Sequence, residues 1–326
     1  MSLSPSNRDI VLAARKGLFI IDLDDPYAQP RFLPQGGTWE VADVQWNPHH
    51  SRSHYIVSTS SQKLLIWNLN KTGQTAIEFI LNKHYRAITD INWSSYNPDV
   101  IASCGIDSWI WAWDLRAGPR TVFGMCAWDA PATQVKWNRR DEHLIASSHD
   151  DKVLIWDNRK GSLPLIALRA HQGAKIYGVD WSRKTRNEIV TCSLDRTIKF
   201  WTLDSLSARV GDVDRPDANL AHLYPQSEYF DSGHGVGRLG GDDEPKPRSV
   251  IHTRYPVWRA RHLPFGYGIL ALPQRGETAL EMWSPDQTDQ PIHTVEGHTD
   301  VVKEYVWRFK GGLSLGQRIA LSACCL

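Results

Sequence analysis

Two sets of residues in this chain have types that could do chemistry: His84, Ser103, Asp107 and Trp113, and again His171, Thr191, Asp195 and Trp201. A carboxylate that orients an imidazole beside a hydroxyl is the arrangement of a general base, and histidine with aspartate also binds metals. Both sets recur with the period of the surrounding strand-like runs, so they read as internal hydrogen-bonded tetrads rather than as catalytic or metal groups. Ser148-His149-Asp150 contains the letters of a hydrolase triad, but three adjacent residues cannot converge as a triad must. Gly235, Gly237 and Gly240 spell G-x-G-x-x-G. A dinucleotide site needs a strand before that motif and a helix after it. Here Ser232-Gly233 precedes it and an acidic, proline-broken stretch follows, which is a chance match. No residue is assigned as catalytic, cofactor-binding or metal-ligating, no cofactor is expected, and an enzyme is not the expected reading.

The elements that position the tetrads are short strands. Trp67, Trp113, Trp156, Trp201 and Trp283 close strand-like runs such as Val-Leu-Ile-Trp-Asp. A second series, Trp46, Trp93, Trp137, Trp181, Trp258 and Trp307, lies between them, and neighbours within each series are 43 to 49 residues apart except across one interval. Alternating apolar runs punctuated by Asn, Pro, Gly and Asp are antiparallel strands. A repeat of that length with a Trp-Asp-like ending marks a WD-repeat β-propeller. The expectation is therefore an all-β fold, a seven-bladed propeller filling residues 1–326 as one domain, with incomplete first and last blades.

The clearest unit runs from His84 to Asp114. In the unit ending at Trp156, Asp150 is present, but Trp128 stands about where the histidine belongs and Ala146 where the hydroxyl belongs. The unit ending at Trp67 has Ser61 in place of the aspartate. Near the start, Ile10 to Ala14 and Leu18 to Leu23 read as the middle and third strands of a blade without a first strand. Residues 204–249, rich in Gly, Asp and Pro, read as a flexible insert between blades. Without these 46 residues about 280 remain, roughly six and a half units. Residues 308–326 form an atypical tail in which only Arg318 to Ser322 resembles a strand. The unfinished ends imply a fragment or a truncated gene product.

Formal net charge is +1, from 37 basic and 36 acidic side chains, so no excess of charge points to nucleic acid or to an anionic membrane. Five cysteines, an odd number without paired spacing, give neither a disulfide framework nor a zinc site. Met1 to Asp9 lacks the apolar core of a secretory signal. No run reaches the roughly 18 apolar residues of a membrane span, so a soluble intracellular protein is expected.

Some segments are more specific than the repeat. Trp39-Glu40-Val41-Ala42-Asp43-Val44-Gln45-Trp46-Asn47-Pro48-His49, Gln134 to Asn138, Ala146 to Asp150, and Val257-Trp258-Arg259-Ala260-Arg261 with Pro264-Phe265 resemble the WD repeat-containing protein 59 and maintenance of telomere capping protein 5 family. The resemblance covers about Val11 to Trp307 apart from the insert. It implies a scaffold of the SEA complex, called GATOR in animals, that relays amino-acid status to the TOR kinase. It further implies other complex subunits, themselves WD-repeat proteins, as partners. A cytoplasmic location, peripheral at the vacuolar or lysosomal membrane through the complex, follows from the same likeness. That family continues into an RWD domain and a RING-like region, for which this chain has no matching cysteine pattern. An alternative class stays open. Trp113-Asp114-Leu115-Arg116 and Trp156-Asp157-Asn158-Arg159 resemble the blade edge of cullin-ligase adaptors, with Arg116 and Arg159 as the contact residues. A chromatin-bound reader belongs to that same class.

Overall fold

A computed structural model of the chain describes residues 1–326 except 38, 72–74, 204–244, 275, 311–316 and 325–326. Six four-stranded antiparallel sheets and one two-stranded sheet follow one another along the chain. Blade 1 contains β1 (Ser2–Leu3), β2 (Asp9–Ala14), β3 (Gly17–Asp22) and β4 (Arg31–Pro34). Blade 2 contains β5 (Val44–Trp46), β6 (Tyr55–Ser60), β7 (Lys63–Asn68) and β8 (Ile77–Asn82). Blade 3 contains β9 (Ile88–Trp93), β10 (Val100–Gly105), β11 (Trp109–Asp114) and β12 (Thr121–Cys126). Blade 4 contains β13 (Ala132–Trp137), β14 (Leu144–His149), β15 (Lys152–Asp157) and β16 (Ile166–Leu168). Blade 5 contains β17 (Ile176–Trp181), β18 (Glu188–Ser193), β19 (Thr197–Thr202) and β20 (Ser249–His252). Blade 6 contains β21 (Val257–His262), β22 (Ile269–Pro273), β23 (Leu280–Trp283) and β24 (His293–Val295). Blade 7 pairs β25 (Val302–Lys310) with β26 (Gln317–Cys324).

The core lies between blades, because each strand buries its apolar side chains against the neighbouring sheet. Trp67 packs with Val11, Leu18 and Val44, Trp113 with Leu64, Ile66 and Ile91, and Trp201 with Leu144, Ile155 and Val179. Each closing tryptophan thus faces the preceding blade. Trp67, Trp113 and Trp156 are fully buried, and truncating such an indole to alanine costs about 3–5 kcal/mol.

The inner strands carry a recurring irregularity. Register shifts place one extra residue in β9, β13, β17, β21 and β25 opposite its partner strand, the signature of a β-bulge. The bulged residue reaches the next blade: Thr89 Oγ1 donates to the Ala132 carbonyl at 2.8 Å, Thr133 Oγ1 to Ile176 at 2.9 Å, and Tyr177 stacks on Trp258 at 4.8 Å.

Four sequence expectations change. Blade 1 has an inner strand, since Ser2 and Leu3 pair with Val11 and Ile10; two residues are too few to show alternation. Trp258 is a bulged residue, and His262 takes the place held by Trp93, Trp137 and Trp181 at the end of the inner strand. The insert lies within blade 5, between β19 and β20, rather than between blades. Ser249, given to the insert, begins β20, while residues 204–244 fall outside the described residues. The tail from residue 308 continues β25 as far as Lys310 and then forms β26. Blade 7 has two strands among the described residues.

Candidate functional site

The structure brings both tetrads together. His84 Nδ1 lies 3.0 Å from both Asp107 oxygens, its Nε2 lies 2.9 Å from Ser103 Oγ, and Trp113 Nε1 donates to the same hydroxyl at 2.9 Å. In blade 5, His171 is 2.8 Å from Asp195 and 2.8 Å from Thr191 Oγ1, which accepts from Trp201 Nε1 at 3.0 Å. Thr197 Oγ1 adds a bond to Asp195 at 2.7 Å. Burial opposes it, but the bonds from His171 and Thr197 hold Asp195 down at about 2. Both imidazoles have no exposed side-chain surface, so each relay ends on an indole inside the blade.

Blade 4 departs from the sequence reading. The hydroxyl is Ser147, not Ala146: Trp156 Nε1 donates to Ser147 Oγ at 2.8 Å. The β14–β15 hairpin turns on Asp150 and Asp151 and is one residue shorter than that of blade 3, which shifts the count by one. The imidazole comes from the strand itself. His149 Nε2 lies 2.9 Å from Ser147 Oγ, and Nδ1 lies 3.0 Å from the Ala130 carbonyl. Burial without a carboxylate partner pushes His149 down to about 4, so Nδ1–H donates to the carbonyl and the ring is neutral. Trp128 does not fill the histidine position; it is 61% exposed, has φ 52°, and sets its ring edge-on to Trp109 at 5.6 Å. In blade 2, Ser61 has φ 54° in the turn, and Trp67 Nε1 donates to Ser58 at 2.9 Å.

Arg116 and Arg159 fold back on their own blades. Arg116 Nη2 is 2.6 Å from Asp114 and its Nε is 3.0 Å away; Arg159 Nη2 is 2.7 Å from Asp157 and its Nε is 2.9 Å away. Each forms a two-pronged pair with the aspartate two residues earlier, and a partner carboxylate would have to displace it.

A charged belt along the inner strands escaped the sequence reading. Asp90 accepts from Val135 N at 3.0 Å and from Lys136 Nζ at 2.5 Å. Asp180 accepts from His262 N at 2.9 Å and pairs with Arg139 at 2.9 Å. Burial works against ionisation there, yet Arg139 and His262 hold Asp180 far below the usual carboxylate range. Asn92 and Gln134 accept from Trp137 N and Val179 N, both at 2.9 Å. Each of these side chains satisfies a backbone N–H that the neighbouring inner strand would otherwise leave unpaired. Burial and the charge of Asp90 push Asp43 up to about 6.

The belt ends at the join of blades 6 and 7. Arg261 reaches Glu304 at 2.9 and 3.0 Å, and Arg259 reaches it at 3.3 Å. Despite burial, Arg261 and Arg259 hold Glu304 at about 2. The ring then closes through Arg308, which donates to the Asn7 carbonyl at 3.0 Å and the Leu23 carbonyl at 2.9 Å and pairs with Asp24. The signal in the sequence was charge alternating with apolar residues in segments that a propeller must bury, as in Val-Trp-Arg-Ala-Arg. Among the described residues no cluster of three or more His, Cys, Asp or Glu could hold a metal ion.

Comparison with known proteins agrees with this architecture. The model of the WD domain, G-beta repeat, matches residues 124–157 and 162–202. A solved chain from a crystal structure of a mitotic checkpoint complex superposes with a TM-score of 0.69 at 14% identity, covering 92% of this chain and 78% of that one; it speaks to the fold alone. An RWD, RING finger and WD repeat-containing protein of Schizosaccharomyces pombe is 41% identical over 95% of this chain and 21% of its own length. Maintenance of telomere capping protein 5 of Saccharomyces cerevisiae is 38% identical over 94% of this chain and 24% of its own. The human GATOR2 complex protein WDR59 is 32% identical over 94% of this chain and 28% of its own. The chain thus spans between a fifth and three tenths of the length of these relatives. Over that shared propeller, this chain resembles the family of WD repeat-containing protein 59 and maintenance of telomere capping protein 5.

Proposed function

We propose that this chain is a non-catalytic scaffold propeller in a complex of the SEA or GATOR type. In this reading it holds other WD-repeat subunits and acts in TOR signalling in response to amino acids, at the surface of the vacuole or lysosome. The observation that carries it is the likeness to maintenance of telomere capping protein 5 and to a GATOR2 complex protein across 94% of the chain. The segment Val257 to Arg261, one of those that resemble this family, carries the two arginines that pair with Glu304. The buried and fully engaged His–Asp pairs support a platform rather than a reaction site. The adaptor alternative gains nothing from Arg116 and Arg159, which are already engaged by Asp114 and Asp157.

An amino-terminal tag on the chromosomal gene, with affinity purification, gel sizing and mass spectrometry, tests the proposal. Recovery of SEA or GATOR subunits, with imaging at the vacuolar or lysosomal membrane, supports it. Recovery of a cullin ligase, or of the tagged chain alone, overturns it.

A further inference from the structure

Blades 5 and 6 enclose a cavity of about 200 Å³ on the face that carries the turns from first to second and from third to fourth strands. Its apolar wall includes Phe200, Leu263, Pro264 and Tyr267, and its basic side is Arg183, Lys184, Arg248 and His262. Three of these four basic side chains have company. Arg248 pairs with Glu188 at 3.0 Å, His262 lies 3.2 Å from Asp180, and Lys184 Nζ sits 3.8 Å from the Tyr267 ring centroid. Arg183 differs: its side chain opens to solvent, and among the described residues it makes neither a hydrogen bond nor an ion pair. The belt arginines nearby, Arg139 and Arg261, are both matched to carboxylates. Glu188, the one acidic residue lining the cavity among the described residues, is already held by Arg248 and by Thr185 Oγ1 at 2.7 Å. The cavity is therefore an apolar slot with a guanidinium that has no direct ion-pair partner at its mouth and an ammonium beside it, and among the described residues no free carboxylate lines it.

From that imbalance we infer that the cleft between blades 5 and 6 receives an acidic peptide segment of a protein partner. An aspartate or glutamate of the segment pairs with Arg183, and an adjacent apolar side chain enters against Leu263 and Tyr267. A guanidinium presents a planar fork that matches a carboxylate, and pairing at the rim of an apolar slot gives such a contact both affinity and register. Tyr267 is 57% exposed, so an incoming aliphatic group covers a ring that water now touches. The inference deepens the scaffold reading, on which it rests, by giving one face of the propeller a partner chemistry.

Selection of random twelve-residue peptides displayed on phage against the immobilised full chain is the test. The same selection is run on Arg183→Glu and Lys184→Glu, both surface changes whose thermal melts are checked against the parent. The expected result is enrichment of peptides with Asp or Glu next to Leu, Ile or Phe. Synthetic copies should bind Arg183→Glu about tenfold or more weakly and should lose affinity as salt is raised. Enrichment without an acidic preference overturns the inference, as does equal binding of the acidic peptides to the parent and to Arg183→Glu. So does binding that emerges only once residues 206–243 are deleted, which would make the slot's occupant this chain itself. Because no complex subunit is present, failure here leaves the co-purification test of the scaffold reading untouched.

Discussion

Arg261 and Glu304 meet across the join of blades 6 and 7 with two contacts, at 2.9 and 3.0 Å. Arg259 adds a third, and all three side chains are largely buried. Removing the carboxylate as Glu304→Gln leaves two arginines without a countercharge. A broken buried pair costs about 3–5 kcal/mol, so the urea midpoint should fall sharply. The double change Arg261→Leu with Glu304→Leu should recover part of that loss. Equal loss in the single and double variants would show that the charges do not act as a unit.

Ser103 accepts from Trp113 and contacts His84 while wholly buried. Ser103→Ala strands a polar atom on each neighbour at once. Unsatisfied buried groups cost about 1–3 kcal/mol each, so a loss of about 2–4 kcal/mol is expected from chemical denaturation. Ser108→Ala, a turn change outside the relay, should stay close to the parent.

His149 supplies a pH dependence with a definite sign. Its folded pKa of about 4 lies below the unfolded value of about 6.5. Between those values the unfolded chain binds the extra proton, so stability is complete above about pH 6.5 and falls as pH drops toward 4. From pH 7 to pH 5 this amounts to about 2 kcal/mol. In His149→Gln that share of the pH dependence should vanish. Parallel pH profiles for the two proteins would contradict the neutral, buried imidazole.

Arg308 joins the last blade to the first through two carbonyls and Asp24. Arg308→Ala should loosen that seam ahead of the rest of the ring. The readout is amide hydrogen exchange: β1, β2 and β25 should lose protection while β13 to β18 keep theirs. Uniform loss across all blades would argue that the ring opens only as a whole.

Much of this architecture was legible in the sequence, because strand periodicity and a closing tryptophan are local signals. His84, Asp107, His171 and Asp195 could be placed from spacing alone, since their hairpins have the same length. Ser147 could not, because one residue fewer in the Asp150–Asp151 turn moves the hydroxyl off the expected count. Trp258 was misplaced for a related reason. Its step of 49 residues to Trp307 was the longest in its series outside the interval that holds the insert, and the true counterpart is His262, a residue with no hydropathy signature. The charged belt lay hidden because Asp180, Arg261 and Glu304 sit in three different repeats, and only the packing of successive blades brings their side chains into one line. β20 went unread, with its first residue Ser249 given to the insert, because four residues after a polar stretch carry too little pattern.

The position of that insert has a consequence for how the chain tolerates change. Forty-six residues separate Thr202 from Ser249, against six between Asp114 and Thr121 at the equivalent connection of blade 3. By chain length alone, a connection of forty-six residues costs only roughly 2 kcal/mol more than one of six, because the closure penalty grows with the logarithm of length. β20 still pairs with β19 over Thr197 to Phe200. Lengthening the tether further changes the penalty by a few tenths of a kcal/mol. This outer edge is thus a permissive splice point, where an epitope, a fluorophore or a whole folded module can be grafted while the seven inner strands keep their register.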